Sequence, residues 1–242
     1  MRANSLYDEQ GLIPDPLVLA DKALHSRMKR NGANAYATSA LLQLEPLVDT
    51  IIERLLWSPD TFAYSGKMCD IGQHLRFFSI DAIFAMTFGN DLNFVDKGDE
   101  SGNIKMLQDS LQYLSTLAFP PSASKKRALD RISDWPSPLA SSIAERQSLL
   151  SQRDAVLQGV IDALDAPCTF LKRLLLNQEK SPASITDREL NTHVFGNIIT
   201  GGDTTITAMR AILANLIQYP EVAEGVLAEL REAGCDRQTI VP

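Results

Sequence analysis

Five adjacent residues, Gly201-Gly202-Asp203-Thr204-Thr205, carry the most chemistry in the chain. A carboxylate beside two hydroxyls can hold and deliver protons. Two glycines next to them leave space for a close approach. Helical periodicity runs on both sides of the five, so they fall in a helix interior. Each glycine costs about 1 kcal/mol relative to alanine there, and a pair of them implies close backbone approach, a local kink, or both. Glycine and alanine alone point to a tight helix–helix crossing. The acid and hydroxyls, costly to place in a central helix, point instead to a site of proton delivery. A third reading, a phosphate-binding nest, fits less well, because such loops follow a strand and open a helix.

Other reactive residues form no pattern. His25, His74 and His193 lie far apart without metal-ligand spacing. Cys69, Cys168 and Cys235 are odd in number and widely spaced, so they make neither a disulfide framework nor a C-x-x-C site. A reducing compartment is the default expectation. No nucleophile-elbow sequence appears, and no metal ligands are assigned.

The element that must position the five residues is one long helix. Thr186-Asp187-Arg188-Glu189 fits a capping box, and nothing stops the pattern before Tyr219-Pro220. That span is on the order of 50 Å at 1.5 Å per residue. On a helical wheel, one arc holds His193, Asn197, Gly201, Thr204, Ala208, Ala211 and Asn215. The roughly opposite arc holds Phe195, Ile198, Ile199, Ile206, Met209, Leu213, Leu216 and Ile217. A further helix starts at Pro220-Glu221 and ends at Gly234.

Upstream, the chain reads as helix after helix. Expected helices cover Pro16 to Arg30, Ser39 or Pro46 to Trp57 (broken by Ser58-Pro59-Asp60), and Asp70 to Gly89. Others cover Ser101 to Ala118, Ser142 to Asp165 and Cys168 to Asn177. Pro120 to Pro138 reads as a loop or broken connection. The expected fold is mainly α, helices arrayed around one long central helix.

Composition agrees. The chain has 242 residues, 45% of them hydrophobic, a net charge of −7 and a pI near 5.0. A sizeable core is expected, and nucleic acid is not an expected partner, since binding it needs a basic surface. No secretory signal is visible. No window reaches the roughly 18 apolar residues of a membrane span; the richest, Phe77 to Phe88, is cut by Asp81.

The run Asn197-Ile198-Ile199-Thr200-Gly201-Gly202-Asp203-Thr204-Thr205 resembles the oxygen-side helix of cytochromes P-450, the haem-thiolate monooxygenases, and of their eukaryotic, fungal-type members in particular. The flanks His193-x-x-Gly196-Asn197-Ile198 and Tyr219-Pro220-Glu221-Val222 are similar to the family as well. So are His25-Ser26-Arg27-Met28-Lys29-Arg30, Tyr36-Ala37-Thr38-Ser39, Leu44-Glu45-Pro46 and Phe88-Gly89. Thr200 departs from the pattern, standing where the family has a small residue.

The resemblance implies haem b (iron protoporphyrin IX) as cofactor and Asp203 and Thr204 as catalytic residues of proton delivery. It makes Gly201 and Thr205 cofactor-side residues, and His25 and Lys29 the partners of the haem propionates. The implied partners are a small organic substrate, O2 and an NADPH-linked reductase, docking near Arg27 to Arg30. Family members of this type are usually anchored in the endoplasmic-reticulum membrane; the chain itself shows no anchor and leaves localisation open.

The axial cysteine loop, Phe-x-x-Gly-x-x-x-Cys-x-Gly, is absent. Cys69, with Phe62 and Gly66 before it, misses each gap by one, and Ile71 stands where the last glycine belongs. No glutamate has an arginine three places on, so the family's Glu-x-x-Arg motif is absent too. The expectation is therefore residues 1–242 of a partial domain, a segment of such an enzyme. The alternative is a non-catalytic helical fragment or binding module.

Overall fold

The computed structural model describes residues 7–8, 11–12, 16, 19–66, 68–100, 102, 104, 168–181 and 185–234; at 7–8, 11–12, 58–61, 65, 191, 195, 199 and 203 it describes the backbone alone. The helices expected at 101–118 and 142–165 and the connection at 120–138 lie outside these residues.

The described residues are mainly helical. A two-residue antiparallel pair, β1 (Tyr7–Asp8) and β2 (Gly11–Leu12), precedes the helices. Helix α1 (Lys22–Gly32) starts at Asp21, whose carboxylate accepts from the Ala23 and Leu24 N–H groups. It begins later than the expected Pro16, at the residue whose carboxylate caps the free N–H groups of the helix start. A 3-10 turn (Ala33–Tyr36) and the one-turn α2 (Thr38–Leu41) follow.

Helix α3 (Glu45–Ser65) begins with Pro46 in its first turn, as expected, and then runs through Ser58-Pro59-Asp60. The break expected there does not occur. Proline removes one intrahelical hydrogen bond, and the chain stays helical to Gly66, whose φ of 66° ends it. Glycine takes this left-handed conformation without steric cost.

Helix α4 (Ile71–Phe88) matches its sequence signals at both ends. Asp70 accepts from Gln73 N–H, and Gly89 stops the helix with φ 91°. A short α5 (Phe94–Lys97) follows. Helix α6 (Phe170–Lys180) is capped by Thr169. The long helix α7 (Asp187–Gln218) opens with the expected capping box and leads into α8 (Pro220–Glu232).

Burial shows how these pieces fit. Ten residues of α4, from Leu75 to Thr87, are buried, which makes it the most enclosed of the described helices. One apolar cluster joins α3, α4 and α5 to Ile206 of α7, with Met209 and Leu213 packed against it. A second joins Ala35, Leu44 and Ile83 to α6 and to Ile185, Leu190, Val194 and Ile198.

Helices α4 and α7 run antiparallel. Gly201 faces Ile83, and nine residues further along α7 the Arg210 guanidinium reaches Gly72 at the start of α4. Residues 211–218 therefore overhang α4 by about 12 Å at 1.5 Å per residue. Ile212 and Ile217 on that overhang are 61% and 70% exposed, and α8 buries nothing.

Candidate functional site

The glycine pair of α7 sits where α4 crosses it. A Cβ on Gly201 would lie 2.8 Å from Ile83 Cγ1, 2.9 Å from its Cδ1 and 3.3 Å from its Cβ. A Cβ on Gly202 would meet Ile80 Cγ1 at an ordinary 3.5 Å. The tight-crossing reading thus holds at Gly201, whose missing side chain leaves room for Ile83. Gly202 is buried but under no such constraint.

The hydroxyls of this turn lie on another face. Thr204 and Thr205 are exposed, and so are Ala208 and Ala211 beyond them. Thr204 Oγ1 donates to the Thr200 carbonyl at 2.5 Å, and Thr200 Oγ1 donates to the Gly196 carbonyl at 2.7 Å. With its proton placed on Thr200, the Thr204 oxygen keeps its lone pairs for a donor arriving from outside. The backbone places Asp203 on the same turn; its side chain lies outside the described residues.

His25 and Lys29 lie one turn apart on α1, half-buried and exposed respectively. What ties α1 to α7 lies N-terminal to the glycine turn. The buried Glu189 carboxylate pairs with Arg27 and at the same time accepts from Thr186 N–H in the capping box. The His193 ring lies against Gly32, where a Cβ would stand 3.1 Å from Cε1. Tyr36 O–H donates to Asn197 Oδ1 at 3.0 Å; burial pushes the phenol up from its ordinary pKa, and that hydrogen bond offsets part of the rise.

Three polar residues of this region were given no site role from sequence. Ser79, in the middle of α4, shares its one hydroxyl proton between the Gly202 carbonyl at 2.8 Å and the Gly201 carbonyl at 3.0 Å. Asp81, fully buried, accepts from the N–H groups of Leu92, Phe94 and Val95 and so holds the start of α5. Burial raises its pKa, against the pull of these N–H donors, and nearby Asp91 adds to the rise. Arg54 pairs with Asp91 and, at 2.7 Å, with Asp96, fastening α3 to the same loop. The available signal for Ser79 and Asp81 was a polar residue inside an apolar helical run.

The two described cysteines are engaged elsewhere. Cys69 Sγ lies 3.7 Å from His74 Nδ1 at the start of α4, and the Cys168 carbonyl accepts from Arg173 Nε at the start of α6. Among the described residues no group of His, Cys, Asp and Glu is placed to hold a metal ion.

A long helix carrying a Gly-Gly-Asp-Thr-Thr turn, packed across a buried partner helix, meets a family-level match here. Residues 5–241 match the cytochrome P-450 family, and the chain belongs to it. It is 26% identical over 227 residues to cytochrome P-450 monooxygenase vrtE of Penicillium aethiopicum, covering 90% of this chain and 41% of that protein. It is 27% identical over 232 residues to cytochrome P-450 monooxygenase mfmA of Annulohypoxylon moriforme, covering 90% and 44%. Pisatin demethylase of Fusarium vanettenii is 28% identical over 222 residues, covering 90% and 43%. The chain spans less than half the length of these relatives. Binding of haem and its iron is typical of the family, whose members named here are oxidoreductases.

Proposed function

We propose that this chain forms the oxygen side of a haem-dependent monooxygenase. Such an enzyme inserts one atom of O2 into a small organic substrate, and the other leaves as water with two protons and two electrons from an NADPH-linked reductase. The observation that carries the reading is the exposed Thr204 hydroxyl on a glycine turn pinned to α4, in a chain of the cytochrome P-450 family.

The residues present fit haem b on its distal side. Thr204, Thr205, Ala208 and Ala211 make an open strip of short side chains that a flat macrocycle can approach. An imidazole and an ammonium one turn apart, His25 and Lys29, suit two propionate carboxylates. Haem, when bound with a thiolate ligand, supplies the electron density for O–O cleavage. The thiolate in this reading comes from sequence outside the 242 residues, in keeping with the share of the relatives that the chain covers.

The chain's own residues handle protons. Thr204 accepts a hydrogen bond on its free lone pairs while its proton rests on the Thr200 carbonyl. Asp203, one residue before it, exchanges protons with solvent and passes them to the Thr204 neighbourhood. Gly201 holds the turn close to Ile83, which keeps Thr204 on the open side. The basic run Arg27 to Arg30 is the proposed reductase contact, and attachment to the endoplasmic-reticulum membrane belongs to the same reading. No helix of the described residues is long and apolar enough to cross a membrane.

The second reading is a non-catalytic helical fragment or binding module. A haem titration followed by the carbon-monoxide difference spectrum separates the two. A thiolate-type red-shifted band in a protein carrying this chain, with product per NADPH falling at least about tenfold in Thr204→Ala, supports the enzyme. Unchanged coupling removes Thr204 from the chemistry, and failure to take up haem favours the fragment.

A further inference from the structure

Ser79 is buried to 3% exposure, yet its hydroxyl is bonded only to the backbone of a different helix. A buried hydroxyl without a partner costs about 1–3 kcal/mol, and Ser79 avoids that cost by bonding across the helix interface. The two acceptors, the Gly201 and Gly202 carbonyls, are adjacent peptides whose helical donors are the Thr205 and Ile206 N–H groups.

The same stretch of α7 is loaded with hydroxyl donors on its other side. Thr200 bonds the Gly196 carbonyl and Thr204 bonds the Thr200 carbonyl. The Gly196 and Thr200 carbonyls therefore each receive a hydroxyl from the next turn of their own helix. Extra donors of this kind loosen a helical ladder and bend it, and two glycines add backbone freedom. The turn thus combines two back-bonded hydroxyls with two glycines, and one face of it is open.

On the closed face the hydroxyl that reaches these carbonyls is that of Ser79. Ser79 and Ile83 are one turn apart on α4 and both face α7. At Gly201 the Ile83 side chain stands too close for even a Cβ.

We propose that Ser79 is a positioning residue: its hydroxyl holds the Gly201 and Gly202 carbonyls toward α4 and thereby fixes where the Thr200 carbonyl and the Thr204 hydroxyl stand on the open face. The consequence for catalysis rests on the monooxygenase reading; the anchoring does not.

The test compares Ser79→Ala with Thr87→Val, using amide hydrogen exchange by mass spectrometry on the 242-residue chain. Thr87 is a matched control, another fully buried hydroxyl of α4, and its oxygen has no hydrogen-bond partner. Ser79→Ala is expected to speed exchange at residues 199–207 about two- to tenfold, while Thr87→Val leaves that window unchanged. Equal exchange in the two variants overturns the anchoring, whether or not the protein binds haem. Ser79→Cys, close in shape and a much weaker donor, gives the same comparison should the alanine variant not fold. In a haem-loaded protein carrying the chain, Ser79→Ala is expected to divert electrons from product to hydrogen peroxide at unchanged KM. Faster exchange without that diversion overturns the positioning role and leaves the monooxygenase reading standing.

Discussion

Alanine substitution at the two adjacent glycines should give opposite results. Both changes relieve the cost of glycine in a helix interior, about 1 kcal/mol each. At Gly202 nothing opposes the gain, because the new Cβ meets Ile80 at 3.5 Å. At Gly201 the new Cβ would lie 2.8 Å from Ile83 Cγ1 and 3.3 Å from Ile83 Cβ. The first clash could be eased by rotating a side chain, but isoleucine in a helix has essentially one χ1 rotamer, and Cβ moves only with the backbone. Overpacking of this kind costs about 1–3 kcal/mol. Gly202→Ala should therefore stabilise the chain by up to about 1 kcal/mol. Gly201→Ala should come out neutral or destabilised by up to about 2 kcal/mol. Urea denaturation followed by far-ultraviolet circular dichroism measures both. Ile83→Ala should cost about 2–5 kcal/mol alone and less in the Gly201→Ala background, where the methyl fills part of the cavity. If Gly201→Ala proves as stable as Gly202→Ala, or the double mutant is strictly additive, the close crossing is not what requires glycine at 201.

Two further outcomes follow from other parts of the fold. Burial holds the folded pKa of Asp81 above its unfolded value, so the folded state binds the extra proton. Its contribution is then fully present below the unfolded pKa and is lost as pH rises through the folded one. Asp81→Asn should flatten the corresponding acid-side segment of a stability-versus-pH curve. It should also cost about 2 kcal/mol at neutral pH, since one amide oxygen replaces a carboxylate for three N–H donors; a variant with the parent's pH profile would refute this. The exposed Ile212, Ile217, Val222, Val226 and Leu230 should make the chain self-associate. Val226→Glu with Ile217→Lys should lower its sedimentation coefficient, and a parent that sediments as a monomer would exclude the idea.

Local chemistry was enough to read several helix ends correctly. Asp70, Gly89, Thr186-x-x-Glu189 and Pro220 act through atoms within one turn of their own backbone, so the sequence contains both partners of each interaction. The run from Gly201 to Thr205 was legible for the same reason: unusual residue types crowded into one turn. Pro59 misled, because a proline removes a single hydrogen bond, and α3 continued without it. What no local pattern contained was the partner across the fold. Gly201 is required by Ile83 and carries the hydroxyl of Ser79, both more than a hundred residues earlier. Arg27 finds Glu189 only when α1 is laid against α7. By itself the sequence determined that the chain is mainly helical, where the helices at 71–88, 187–218 and 220–232 start and stop, and which turn concentrates the acid and hydroxyls. Only the tertiary structure decided which face of that turn is closed by α4 and which is left open. That choice depends on the antiparallel crossing of two helices, a relation between distant residues that neither helix encodes alone.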